Sequence, residues 1–148
     1  MEMILLIGIP ASGKSSFYKT HLFRKYMRIS LDLYKNRNRE MQFLTLALSL
    51  QQCIAIDNTN VTRADRATYI SMAKERGYSV EGYYFKSQLS QCIERNVQRQ
   101  GKECISTAGV ISKYKNLQLP QLEEGFNRLY YVVMENESFT IKDWTNEI

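Results

Sequence analysis

The chain has little that breaks or crosslinks a fold. Two prolines and seven glycines in 148 residues are too few for long disordered linkers. His21 is the only histidine. A histidine-cluster metal site and a Ser-His-Asp triad are therefore not expected, and His21 reads as a polar position on the first helix. Cys53, Cys92 and Cys104 are odd in number and irregularly spaced, which suits neither a disulfide framework nor a zinc site. They read as free, buried or half-buried thiols in a reducing, cytoplasmic setting. No apolar run is long enough to span a bilayer, so no membrane association is expected. The short apolar run near the N-terminus lacks a basic flank and leads straight into a glycine-rich turn. It reads as a strand rather than a signal peptide.

What is present is ordinary in composition and uneven in charge. Hydrophobic residues make up 44% and charged residues 24%, as in a globular protein with one core. The length predicts a single domain over 1–148. The net charge of +5 is concentrated. Arg24, Lys25, Arg28, Lys35, Arg37 and Arg39 crowd one stretch, and Lys86, Arg95, Arg99, Lys102, Lys113 and Lys115 spread over another. The tail from Glu135 to Glu147 is mostly acidic. Basic segments beside a phosphate site would suit an anionic substrate; they would equally serve as solvated helix faces.

Apolar runs alternate with helix-like segments. Strands are expected over Met3–Ile7, Tyr26–Leu31, Cys53–Ile56, Tyr78–Phe85 and Arg128–Met134, with an edge strand over Ser138–Trp144. Helices are expected over Ser15–Lys25, Asn36–Gln52, Thr62–Arg76 and Gln88–Gln100, and one or two helical turns over Val110–Lys115. The broad apolar face of 36–52, which includes Met41, Phe43, Leu44, Leu46, Leu48 and Leu50, predicts a well-buried helix. Such alternation predicts an α/β fold: a mainly parallel sheet with helices on both faces.

The stretch GIPASGKS meets the pattern G-x-x-x-x-G-K-[ST] with Gly8, Gly13, Lys14 and Ser15. Glycines let the backbone curl so that its N–H groups point inward at a phosphate chain, aided by the positive end of the next helix. Lys14 would reach the β- and γ-phosphates, and the Ser15 hydroxyl would ligate Mg²⁺. Ala11, Ser12 and Ser16 complete the nucleotide-binding set. The loop follows an apolar strand and precedes a helix, which is the context the motif requires. No Asn-Lys-x-Asp element for reading guanine is present, which points to ATP.

Ligands of open parallel sheets bind beyond the carboxyl ends of the strands. Asp32 closes RISLD and Asp57 closes CIAIDNTN there. Either carboxylate could accept a proton from an attacking hydroxyl or help hold Mg²⁺, or simply cap the next turn. Arg95 and Arg99 lie four apart, on one face of a polar helix, in a segment (88–103) that resembles a mobile lid over ATP.

Together, GIPASGKS, SLDLYK, AIDNTN, RNVQR and LPQLEEGF resemble the P-loop polynucleotide 5′-hydroxyl kinases: the phage enzyme and the kinase half of eukaryotic kinase–phosphatases. The likeness runs from about Met3 to about Val133. It implies a P-loop kinase fold with a short helical lid, ATP and Mg²⁺ as cofactors, and a nucleic-acid 5′-OH end as substrate. It implies Lys14, Asp32 and Arg99 as catalytic, with Asp32 the general base, and Arg95 beside the nucleotide. Asp57 and Asn60 would lie by the acceptor or the metal, and Lys35 by the acceptor phosphate. Lys35 stands where the family usually has arginine, and the segment between Asp32 and Asp57 is shorter than in the phage enzyme. Two other readings share the cradle: a kinase with a nucleoside, sugar or nucleotide-sugar acceptor, and an ATP-dependent switch or nucleic-acid binding module without transfer chemistry.

Overall fold

A computed structural model describes residues 1–136 and 138–145; the remainder of the acidic tail lies outside the described residues. Six strands form one sheet: β1 (Glu2–Ile7), β2 (Met27–Ile29), β3 (Ile54–Asp57), β4 (Ser79–Phe85), β5 (Arg128–Glu135) and β6 (Ser138–Asp143). Their spatial order is β2-β3-β1-β4-β5-β6. All neighbours pair in parallel except β5 and β6, which are antiparallel.

β1 lies between β3 and β4 and is covered on both faces. Such a strand reads as a continuous apolar run, and Met3 to Ile7 are each at most 1% exposed. Alternation then divides its side chains. Met3, Leu5 and Ile7 enter one core with Leu44, Ala47, Leu48, Tyr69, Ile70 and Ala73. Those residues come from helices α3 (Arg37–Ser49) and α4 (Arg63–Glu75). Ile4 and Leu6 enter the other core with Phe17, Tyr18, Leu22 and Phe85. Tyr83 and Tyr84 divide in the same way. Tyr83 packs on Phe17 and Tyr130, and Tyr84 packs on Tyr131 and Trp144.

A third, smaller cluster joins Ile9, Val61, Cys92 and Val110. It seats α5 (Leu89–Val97) and α6 (Thr107–Asn116) over the end of β1. α6 is longer than the turn or two expected. Cys53, Cys92 and Cys104 are all free thiols. Among the described residues, no helix is long and apolar enough to cross a membrane.

Three local expectations change. The first helix is α-helical only as α1 (Lys14–Phe17) and continues as a π-helical turn, Tyr18–Leu22. β2 ends at Ile29, and Asp32 falls in the first turn of a short helix, α2 (Leu31–Tyr34). The third change concerns the apolar face of α3, which is only partly buried. Leu44, Ala47 and Leu48 are covered, but Phe43, Leu46 and Leu50 are 41%, 54% and 60% exposed. The sheet edge beneath α3 is β2, only three residues long, so Leu46 and Leu50 stay largely uncovered, while Phe43 stacks on Tyr34 of α2 with ring centroids 4.1 Å apart.

Candidate active site

The loop between β1 and α1 is shaped by glycine where only glycine fits. Gly13 adopts φ 105°, and a Cβ there would lie 3.0 Å from Met134 Sδ and 3.1 Å from the Phe139 ring. A Cβ on Gly8 would meet Ser12 Oγ at 2.7 Å. The loop is braced on both sides: Gly8 N–H donates to Thr59 O (2.9 Å) and Ile9 N–H to Ser87 Oγ (3.1 Å). Ala11 takes φ 64°, and Ser12 is buried. Ser16 is exposed beyond the loop.

Lys14 folds back over this loop. Its Nζ donates to Gly8 O and Ile9 O, each at 2.9 Å, and more weakly to Ser12 Oγ at 3.4 Å. Burial lowers its pKa to about 8; the negative charges of Asp57 and Asp32 oppose that, and the positive charge of Arg99 adds to it. Three sequence-identified charges from three separate segments therefore bear on one ammonium group.

The corner beyond Lys14 is built on Asp57, whose side chain is 2% exposed. Its Oδ2 accepts from Ser15 Oγ at 3.0 Å and from Arg28 Nε at 2.8 Å. Arg28 Nη2 also stands 3.5 Å from Ser15 Oγ. No motif in the sequence marks Arg28 as a site residue. It projects from edge strand β2 toward the end of β3, and only the strand order brings the two together.

Asp32 occupies a different setting. It is exposed at the start of α2. Among the described residues its carboxylate makes no hydrogen bond or ion pair. Its helix is held from beneath: Leu31 N–H donates to Asn58 Oδ1 at 2.9 Å. The Asn58 amide in turn donates to Glu40 Oε2 (2.7 Å) and to Tyr69 Oη (3.0 Å). Glu40 is fully buried and also accepts from Tyr69 Oη and Arg37. Its apolar-face position on α3 carried no sign of this role.

The remaining candidates are dispersed. Lys35 ends α2 with φ 74° and is exposed. Arg95 Nη1 donates to Ala11 O at 3.0 Å, across from α5 to the phosphate loop. Arg99 does not share a helix face with Arg95, because α5 ends at Val97 and Arg99 lies past it, half-buried. Asn60 is 3% exposed, and its amide donates to Leu6 O at 2.8 Å and Asn58 O at 3.4 Å. Its side chain braces the chain after β3 rather than opening onto the cradle. Arg66, fully buried, clamps the same segment. It donates to Asn60 O and Val61 O and forms two hydrogen bonds with Glu124, at 2.8 and 3.0 Å. The stretches AIDNTN and LPQLEEGF thus meet physically through Arg66. A hollow of about 450 Å³ on α3, lined by Asn38, Met41, Gln42, Thr45, Leu46 and Ser49, lacks charged side chains and belongs to a separate surface.

The chain is similar to known proteins over most of its length. A bifunctional polynucleotide phosphatase/kinase named in Acanthamoeba polyphaga mimivirus is 31% identical over 153 residues, covering 96% of this chain and 35% of that protein. The bifunctional polynucleotide phosphatase/kinase of Schizosaccharomyces pombe is 26% identical over 132 residues, covering 86% of this chain and 32% of that one. The chain thus spans about a third of the length of these relatives. A gluconokinase structure from Sinorhizobium meliloti 1021 superposes with a TM-score of 0.61 at 18% identity, over 89% of this chain and 82% of that chain. It shows the shared P-loop kinase fold. The family model for the AAA domain (AAA_33) matches residues 34–128, more than half of the sequence, beginning after the phosphate loop. The chain belongs to this AAA domain family and carries it on a P-loop kinase fold.

Proposed function

We propose that this chain is an ATP-dependent phosphotransferase that moves the γ-phosphate of ATP to the 5′-hydroxyl end of a polynucleotide. The observation that carries the reading is the pairing of a phosphate cradle with an exposed carboxylate, Asp32 at the start of α2, which makes no hydrogen bond or ion pair among the described residues. The likeness to proteins named as polynucleotide phosphatase/kinases supplies the acceptor class.

In this reading the backbone of residues 8–13 and Lys14 bind the β- and γ-phosphates. Lys14 turns from Gly8 O and Ile9 O to the phosphate oxygens. Asp32 accepts the proton of the acceptor hydroxyl as its oxygen bonds to phosphorus and the bond to the β-phosphate oxygen breaks. Asp57 is assigned no part in that step, since Ser15 and Arg28 both donate to its Oδ2. Arg99 offsets negative charge on the moving phosphoryl group. Arg95 holds the lid to the loop through Ala11 O. Lys35 and neighbouring cations attract the acceptor's own phosphates as point charges.

Hard oxygen donors, the Ser15 hydroxyl and the Asp57 carboxylate, fit Mg²⁺. Among the described residues no cluster of three His, Cys, Asp or Glu side chains exists to cage a metal. In the proposed site the nucleotide's phosphates would supply further ligands of the ion. When bound, it would neutralise charge on the β- and γ-phosphates. The three free cysteines fit a cytoplasmic location.

Transfer from γ-labelled ATP to 5′-hydroxyl oligonucleotides, run beside a panel of nucleosides and sugars, tests the proposal. Label on the oligonucleotide, declining steeply with added salt, is expected. Label on a small molecule alone would replace the acceptor, and ATP bound without any transfer would replace the enzyme reading.

A further inference from the structure

The Ser15 hydroxyl has one proton, and in this structure it points at Asp57 Oδ2. Its lone pairs are thereby turned the other way, which is the direction a metal ligand needs. Arg28 Nη2 stands on the Ser15 oxygen at 3.5 Å, while Nε of the same guanidinium holds Asp57 at 2.8 Å. One cation thus stands against both Ser15 Oγ and Asp57 Oδ2. Its approach is constrained as well. The guanidinium carbon sits 6.0 Å from the centre of the Tyr18 ring, and Tyr34 Oη donates to Arg28 O at 3.2 Å.

We propose that Arg28 is a positioning residue that occupies the metal corner of the phosphate site and makes divalent-cation binding conditional on nucleotide. This rests on the reading of residues 8–15 as an ATP·Mg²⁺ site. The physical argument is competition. A divalent ion arriving alone must displace Nη2 from Ser15 and sit beside a positive guanidinium, with one buried carboxylate to compensate for both. An ion arriving with a triphosphate brings its own negative charge, which offsets that repulsion. It also offers Nη2 a phosphate oxygen in place of Ser15. Nε keeps Asp57 neutralised throughout, so the carboxylate is never left buried without a cation.

A lysine cannot do the same. It carries a single point charge, whereas the planar guanidinium presents two nitrogens in a fixed fork. In Arg28→Lys the ammonium can hold Asp57 but leaves the Ser15 lone pairs open.

Thermal unfolding with Mg²⁺ alone, without nucleotide, tests this on purified protein. The unmodified protein should show the same Tm in EDTA and in MgCl2. Arg28→Gln, which leaves Asp57 without its cation, should melt roughly 5 °C lower in EDTA and recover most of that loss on adding MgCl2. Binding of a non-hydrolysable ATP analogue gives a second readout. The Mg²⁺ concentration at half-maximal binding should fall roughly tenfold in Arg28→Gln, and by a smaller factor in Arg28→Lys, which keeps a positive charge beside Asp57 and guards against failure to fold. Metal-alone stabilisation of the unmodified protein, or an unchanged Mg²⁺ midpoint in Arg28→Lys, would overturn the proposal. Neither result depends on transfer activity. Failure of the ATP·Mg²⁺ reading itself would instead show as no analogue binding by the unmodified protein.

Discussion

Asp57 ends β3 and Asp32 lies on α2, just past the end of the neighbouring strand β2, and the charges of both bear on Lys14. Asp57 is 5% exposed and accepts from a hydroxyl and a guanidinium. Asp32 is exposed and, among the described residues, accepts from nothing. The difference comes from the path the chain takes on leaving each strand. After β3 the chain is pinned by Asn60 on β1 and by Arg66, so Asp57 stays inside. After β2 the chain turns at once into α2, which lifts Asp32 to the surface on a base formed by Asn58 and Glu40. A carboxylate that must accept a proton needs an open lone pair. A carboxylate that orients a metal ligand needs fixed partners. In the proposed function the same residue type is thus put to two uses by its surroundings.

That contrast can be broken from either side. The largest effect on stability is expected from the enclosed corner. Asp57→Asn removes the charge facing Arg28 and should cost roughly 2 kcal/mol, less than a fully buried pair because Arg28 is partly exposed. Urea denaturation would measure it, and a loss below a few tenths would mean the corner is not held as described. Asn58→Ala takes away the acceptor of Leu31 N–H and a donor to buried Glu40. It should cost about 1–2 kcal/mol and lower transfer roughly tenfold with acceptor KM little changed, since Asp32 loses its footing but the acceptor surface remains. Lys35→Arg should sharpen the open side. A two-pronged phosphate grip in place of a point charge is expected to lower acceptor KM by roughly a few-fold without altering ATP affinity. Smallest of all, Leu46→Ser on the uncovered flank of α3 should change stability by no more than about 0.5 kcal/mol, as its exposure of 54% implies. A larger loss would mean that flank is covered.

The phosphate loop was legible because its requirements are local: residue types, spacing and flanking elements all fall within residues 3–18. Strand alternation likewise conveyed the parallel sheet and the strand end that carries Asp57, but not the early stop of β2 that leaves Asp32 on α2. Their unequal burial was not legible. It depends on Arg28 reaching Asp57 across 29 positions of sequence and on Glu40 and Asn58 meeting beneath α2. The width of α3's apolar face gave no indication of how far the sheet beneath it extends. Periodicity placed Arg95 and Arg99 together, but it could not show that the helix stops at Val97. Asn60 is drawn in as a ligand only by the family resemblance of AIDNTN. Its amide is used instead on backbone oxygens that only the folded β1 supplies.

The most direct measurement of the division between the two carboxylates is ATP-analogue binding and γ-phosphate transfer by Asp32→Asn. The account predicts unchanged analogue affinity and Tm, with transfer to a 5′-hydroxyl oligonucleotide reduced roughly 10²- to 10⁴-fold, the span expected for removal of a general base. Near-normal transfer in Asp32→Asn would contradict it, since the exposed carboxylate would then have no part in the chemistry.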